Sequence, residues 1–345
     1  MGGLDAAAVA AVDSTGQAAE ILDFGVHLRD ALWRVESADL RPHASAGLVV
    51  AGMGGSGVGA RLARAAIGDR ATGPILMARD YALPPWVDER WTVLLSSYSG
   101  YTEETLACWD AATAAGARRV VVSTGGALVD RARAAKVPVI PLPGGFQPRA
   151  AVGYSTVVAL EVARLAGVAP SLAPEVEAAA TLVEALAAQW GPDGPEDSEA
   201  KALARALEPV VPVFCGAGLT IPVAYRWKCQ VNENANRPAF WSELPELDHN
   251  EIEGWQETDP LAPFAPVFLE DPVGTHERVQ RRFALTAEIV GGAHRVAARG
   301  ETRLERMMSL VHLGDLVSVY VAVLAGSDPA AIPAIHRLKA ELWSD

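Results

Sequence analysis

The sequence predicts an α/β protein made of two parallel-sheet domains in tandem. Short apolar runs alternate with longer stretches of helical periodicity, which is the pattern of βαβ units. A strand that feeds a helix through a glycine turn occurs twice, at residues 47–57 and again at 210–218. The length, 345 residues, is long for one core and comfortable for two.

Residues 6–12, an alanine-rich run, read as an N-terminal helix. A strand is expected at 47–51, followed by Gly52-Met53-Gly54-Gly55-Ser56-Gly57 and a helix at 58–67. Further strands are expected at 75–78, 91–96, 120–123 and 137–141, with a helix at 102–115. An alanine-rich helix at 175–189 runs into Gly191-Pro192-Asp193-Gly194-Pro195, which cannot continue it and reads as an exposed connection. Strands at 210–215, 266–269 and 294–298 and helices at 219–231 and 276–290 form the second half. Two helices, 304–324 and 332–342, close the chain around Gly326-Ser327-Asp328-Pro329. The expected domains are 1–170 and 171–345.

Composition narrows the function classes. Apolar residues at 50% and charged residues at 21% describe a globular chain. The 42 acidic against 29 basic residues give a net charge of -13, which argues against a nucleic-acid partner. Backbone amides could still hold a local anion. Cys108, Cys215 and Cys229 are odd in number and far apart, so neither a zinc site nor a disulfide framework is expected, only reduced thiols. Residues 1–16 lack the basic start and apolar stretch of a secretory signal, and no apolar run approaches the ~20 residues of a membrane span. A cytoplasmic protein without membrane partner, metal or cofactor is expected.

The first glycine loop satisfies GxGxxG, a weak signal for a dinucleotide. Asp80 lies about 20 residues on, where a ribose ligand would stand. Arg79 before it and Tyr81-Ala82-Leu83-Pro84-Pro85 after it instead resemble a loop beyond the strand. The next strand ends in Ser96-Ser97-Tyr98-Ser99-Gly100-Tyr101-Thr102, a hydroxyl cluster where a helix begins. Hydroxyl donors, helix amides and the positive end of the helix dipole together suit a phosphate. Thr102 with Thr105 could also serve only as a helix cap. Ser123-Thr124-Gly125-Gly126 is a third such loop, and Arg149 follows the next strand. Ligands of open α/β sheets sit beyond the carboxyl ends of the strands, where these loops converge.

The most polar stretch of this apolar chain is Asn232-Glu233-Asn234-Ala235-Asn236-Arg237, running on to Glu246-Leu247-Asp248-His249-Asn250-Glu251. Phe240, Trp241 and Trp255 add buriable bulk there, and polar groups among aromatics need hydrogen-bond partners. Glu233 and His249 stand out, since carboxylate and imidazole commonly act together in proton transfer. Each also has a structural reading: Glu233 in an ion pair with Arg226, Lys228 or Arg237, and His249 as a core histidine bonded to Asp248 or Glu251.

These motifs resemble a known family. Gly54-Gly55-Ser56-Gly57, Ser97-Tyr98-Ser99-Gly100 and Thr102-Glu103-Glu104-Thr105 are similar to the phosphosugar loops of sugar isomerase (SIS) domains. Gln147-Pro148-Arg149, Asn232-Glu233-Asn234 and Pro245-Glu246-Leu247-Asp248-His249-Asn250-Glu251-Ile252 narrow this to the bifunctional phosphoglucose/phosphomannose isomerases. The resemblance implies two SIS-type αβα sandwich domains and a homodimer acting on hexose 6-phosphates. It implies phosphate contacts from Gly55, Ser56, Ser97, Ser99 and Thr102. It further implies Glu233 as the C1–C2 base, Arg149 as the cation beside the enediolate, and Lys339 near the ring oxygen. His249 would assist ring opening in the partner subunit's site. Tyr101 departs from the family pattern, standing where relatives usually carry asparagine. A non-catalytic phosphosugar regulator is the alternative that Tyr101 keeps open.

The chemistry is coherent by itself. Aldose–ketose isomerisation needs a base for a carbon-bound proton, a fixed cation where enediolate charge develops, and an acid–base partner for the ring oxygen. The phosphate acts as a remote handle that positions the reacting carbons.

Overall fold

All eight expected strands form, in two all-parallel sheets, and the computed structural model describes residues 2–255 and 263–342. By compactness the chain divides into residues 23–181 with 302–305, and residues 1–22, 182–301 and 306–345. This division differs from the expected one at 170/171 in its terminal segments. Residues 2–22, with α1 (Ala6–Val12) and α2 (Gln17–Leu22), group with the second sheet. There Ser14 Oγ donates to Asp328 at 2.6 Å.

The first unit holds α3 (Phe24–Ser37), β1 (Leu48–Ala51), α4 (Gly54–Ile67), β2 (Ile75–Ala78) and β3 (Thr92–Ser96). It continues with α5 (Glu103–Ala114), β4 (Arg118–Ser123), α6 (Gly126–Ala134), β5 (Val139–Pro141) and α7 (Val152–Leu165). The strand order is β2-β1-β3-β4-β5. In such a doubly wound sheet the order reverses between β1 and β3, and the crevice beyond their carboxyl ends is where ligands bind. Those ends are the first glycine loop and the serine loop. Val49, Val93, Leu95 and Val121 of the sheet pack with Trp109 of α5 and Leu128 of α6 in one buried cluster. Strand bounds shift slightly from expectation: β3 starts after Trp91, and β4 already includes Arg118 and Arg119.

Within α8 (Ala173–Trp190) the chain passes to the second unit. This holds α9 (Glu199–Leu207), β6 (Val211–Gly216), α10 (Ile221–Asn234), β7 (Phe240–Glu243), α11 (Glu251–Gly254) and β8 (Phe264–Glu270). Next come α12 (Glu277–Val290), β9 (His294–Ala297), α13 (Arg303–Leu324, in this unit from residue 306) and α14 (Pro333–Leu342). The strand order is β7-β6-β8-β9. β7 was not anticipated; it is a four-residue edge strand with no buried residue, registered on β6 through Phe214↔Trp241 and Cys215↔Ser242.

α10 presents a buried polar column, Arg226, Gln230 and Asn234, at i, i+4 and i+8. Arg226 makes a two-pronged pair with Asp315 of α13, at 2.9 and 2.6 Å. Asn234 Nδ2 donates to Ser318 at 2.8 Å, and Trp227 Nε1 to the Leu310 carbonyl at 2.8 Å. These contacts set the rotation of α10 about its axis, because each is buried and must keep its partner.

α13 corrects the expectation that no run approaches membrane length. By length and composition it could cross a membrane, but 94% of its apolar window is buried within the protein. Arg306, His312 and Asp315 interrupt the run in sequence, and all three are buried in the fold.

His312 gives acid sensitivity a location. It lies against Trp190, ring centroids 6.0 Å apart, and burial pushes its pKa from 6.5 down to about 3. The folded state keeps the ring neutral, so below the ordinary value the unfolded chain binds a proton that the folded chain does not. The associated stability is full above pH 6.5 and drains away as pH falls towards 3, at about 1.4 kcal/mol per pH unit. H312L should therefore lose about 2–3 kcal/mol less than wild type between about pH 7 and about pH 4.5 in urea unfolding. Equal losses would assign the acid sensitivity elsewhere.

Candidate active site

The phosphate half of the expected site lies in the first unit, where three helices start along one edge of the sheet. α4, α5 and α6 begin at Gly54, Glu103 and Gly126, and none has a side-chain hydrogen bond capping its first turn. The leading amides of a helix have no partner within it, and those of α4 and α5 are offered to an acceptor, whereas in α6 Leu128 N–H already donates to the Gly100 carbonyl at 3.0 Å. Thr102 occupies the cap position of α5, yet its Oγ1 bonds to Ser97 Oγ at 2.8 Å instead. Capping alone does not account for the hydroxyl cluster.

The loops meet by close backbone approach. A Cβ added to Gly55 would lie 2.6 Å from the Pro148 carbonyl oxygen and 3.3 Å from Arg149 Cα. Any side chain at position 55 would push the arginine segment off the first loop. Gly100, at φ 73°, turns the serine loop so that an added Cβ would meet the Gly125 carbonyl oxygen at 1.8 Å. Only glycine fits both demands there. Ser97 Oγ accepts from Gly100 N–H at 3.0 Å, and Ser99 Oγ accepts from Tyr101 N–H at 3.2 Å. Ser97 is buried, Ser56 and Thr102 half-buried and Ser99 exposed, so the hydroxyls run from loop floor to solvent. Gly55, Ser56, Ser97, Ser99, Thr102 and Arg149 are thus gathered on adjoining loops.

Arg149 is 3% exposed, which removes the reading of a solvent-facing arginine. Its Nη1 reaches Gln147 Oε1 at 3.5 Å. Tyr101, by contrast, is 51% exposed, and its ring lies against the third loop: Cε2 would be 2.9 Å from a Cβ on Gly126. Asp80 follows β2 in a bend and accepts from Tyr81 N–H at 2.7 Å.

The remaining residues lie in the second unit. α10 runs three residues further than its apolar periodicity predicts, so Glu233 stands half-buried on the last helical turn. Asn236, in the left-handed conformation at φ 52°, ends the helix; its Nδ2 donates to the Ala331 carbonyl at 3.1 Å. Asn232 Nδ2 donates to the Arg237 carbonyl at 2.8 Å. The arginines offered as ion-pair partners for Glu233 are engaged elsewhere: Arg226 with Asp315, and Arg237 with Glu208 at 2.7 Å.

His249 ends a short 3-10 helix, Glu246–His249, and is exposed. Its suggested core partners are taken. Asp248 accepts from Arg282 at 2.8 Å and Thr286 at 2.7 Å, and Glu251 accepts from Ser242 at 2.5 Å. Glu246 accepts from Asn250 at 3.1 Å, so the acidic residues of this segment build its shape. Lys339 lies on α14, a helix with no buried residue.

The second glycine turn does not repeat the first. Thr220, fully buried, donates to the Leu269 carbonyl at 2.7 Å and accepts from Ala217 N–H at 2.9 Å. At the reversal between β6 and β8, Asp271 pairs with Arg306 at 2.8 Å and accepts from Gly274 N–H at 3.0 Å. In the second sheet Thr220 and Asp271 Oδ1 thus turn their bonds inward, onto neighbouring backbone and Arg306. Among the described residues no group of three or more His, Cys, Asp or Glu could hold a metal ion.

Comparison with known proteins bears on the family and the fold. A bifunctional phosphoglucose/phosphomannose isomerase from Caldicellulosiruptor bescii is 36% identical over 301 residues, 86% of this chain and 89% of the relative. This chain belongs to the bifunctional phosphoglucose/phosphomannose isomerase family. An Aquifex aeolicus member is 35% identical over 316 residues, covering 90% of this chain and 94% of its own. The profile described as "Bacterial phospho-glucose isomerase C-terminal SIS domain" matches residues 196–342 of this family member. A solved structure, a glucose-6-phosphate isomerase like protein from Thermus thermophilus, shares the fold with TM-score 0.65, 22% identity and 99% coverage of each chain. The SIS profile falls on the second sheet.

Proposed function

We propose that the protein interconverts glucose 6-phosphate, and mannose 6-phosphate, with fructose 6-phosphate through a cis-enediol. Family membership carries this reading, through 36% identity over 86% of the chain to an enzyme of that name. The uncapped starts of α4 and α5 and the buried Arg149 support it.

In the proposed mechanism the amides and hydroxyls of Gly55, Ser56, Ser97, Ser99 and Thr102 hold the phosphate. His249 and Lys339 move protons at the ring and anomeric oxygens as the pyranose opens. Glu233 then takes the proton from C2 of the open aldose and returns it to C1. As the electron pair shifts, the C1 carbonyl becomes a hydroxyl and the C2 hydroxyl a carbonyl. Oxidation at C2 balances reduction at C1, so no external redox partner enters. Arg149 neutralises the charge on the enediolate oxygens. Glucose and mannose phosphates converge on one enediol because C2 loses its stereochemistry there.

Coupled assays with both aldoses and with fructose 6-phosphate test the reading. Turnover is expected with all three. Tight hexose-phosphate binding in calorimetry without turnover would instead support a phosphosugar sensor.

We further propose a cytoplasmic homodimer whose sites are shared, with His249 serving the partner subunit. Its exposure, and the prior engagement of Asp248 and Glu251, support this. Mixing inactive E233Q and H249A proteins should restore up to about a quarter of wild-type activity per site by random exchange, through mixed dimers. No recovery after demonstrated exchange would exclude a shared site.

A further inference from the structure

We propose that Tyr98 is a positioning residue, whose hydroxyl couples the phosphate loop to the segment that carries Arg149. The inference rests on the reading of Arg149 as the cation beside the enediolate. Tyr98 follows Ser97 in the serine loop, and its hydroxyl works in both directions on one stretch of chain. It donates to the Pro143 carbonyl at 3.1 Å and accepts from Phe146 N–H at 2.9 Å. Its own carbonyl accepts from Thr124 N–H at 3.0 Å and Thr124 Oγ1 at 2.7 Å, which ties the third loop to the same residue. One tyrosine therefore joins the loops that follow β3, β4 and β5.

At that end the stretch is also held by the Phe146 ring, whose centroid lies 4.9 Å from that of His27 and 6.0 Å from that of Tyr154, while the backbone bonds of the turn itself go to Tyr98. Between the two bonded positions lie Gly144 and Gly145, both exposed and without side chains to pack. Beyond Phe146 the chain reaches Gln147, whose carbonyl accepts from Ala150 N–H at 2.8 Å, and then Arg149. At its far end the segment is held by the close approach of Pro148 and Arg149 to Gly55. Removing the Tyr98 hydroxyl would leave the Phe146 ring contacts and the approach to Gly55 in place, but no bond from the serine loop to the backbone of the turn. The Phe146 N–H would lose its acceptor, and the guanidinium three residues on would be held less tightly. The phosphate hydroxyls of Ser97 and Ser99 keep their own bonds to Gly100 and Tyr101. Turnover should suffer while phosphate binding does not.

The test is Tyr98→Phe, alone and combined with Arg149→Gln. The phenylalanine keeps the ring and loses only the hydroxyl. For Y98F we expect kcat to fall about tenfold, the order of loss that a small misplacement of a reacting group causes, with KM for fructose 6-phosphate and inhibition by inorganic phosphate within about twofold. In the R149Q background the same change should cost less than about twofold, because the group it positions is gone. Wild-type kcat in Y98F would overturn the proposal. So would an equal loss in both backgrounds, which would mean that Tyr98 acts independently of Arg149. A normal kcat in R149Q alone would instead remove the role given to Arg149, and the coupling with it.

Discussion

Glu233→Gln is expected to lower kcat by about 100- to 10,000-fold in both directions, the range for loss of a positioned general base, while KM changes little. The amide is isosteric and cannot take a carbon-bound proton. Its position on the last turn of α10 makes the variant a clean one. The helix is set by Arg226–Asp315 and Asn234–Ser318, and its end by Asn236, none of which the substitution touches. Exchange of the C2 hydrogen of the substrate with solvent should fall in step with kcat. Activity within a fewfold of wild type, in protein of unchanged melting temperature, would assign the base elsewhere.

The strands and the glycine and serine loops that end them were legible because their chemistry is local. A parallel strand buried on both faces is a continuous apolar run, and the turn that follows it needs glycine. Val49 and Val93 announce strands, and Gly52 and Ser97 mark where they end. Glu233 was legible only as an unusual residue, since polar amides around it masked three further residues of helix. What ends that helix is Asn236 in the left-handed region, which asparagine tolerates and hydrophobic periodicity does not report. β7 was hidden for a related reason. An edge strand with Phe240 half-exposed and Glu243 at its end carries no alternation of buried residues.

Other features had no sequence signal because they depend on pairing across long separations. Arg226 and Asp315 are 89 residues apart, and from sequence Arg226 is matched instead with nearby Glu233. The same holds for the contrast between the two sheets. Both start with a strand and a glycine turn, but the second turn is crossed by the inward bonds of Thr220 and by the Asp271–Arg306 pair. Tyr98 sits inside a motif that draws the eye to its serines; its role shows only through partners at 143 and 146.

Arg149→Gln is expected to lower kcat by about 100- to 1,000-fold, the typical loss when one preorganised group at a developing charge is removed. Burial sets the size of the effect. Arg149 is 3% exposed, so water screens it poorly, and its charge acts at fuller strength than that of a surface arginine. Its value is differential: the carbonyl of the open sugar carries a partial charge, whereas the enediolate carries a full one. The loss should therefore fall on kcat and leave KM within a fewfold, since phosphate affinity comes from the loops. Arg149→Lys separates charge from shape. A lysine keeps the charge but lacks the planar fork, so it should recover part of the lost rate and less than all of it. Full recovery would mean that charge alone matters at this position. A rise in KM equal to the fall in kcat/KM, at unchanged kcat, would instead make Arg149 a phosphate ligand, and the enediolate would need another cation.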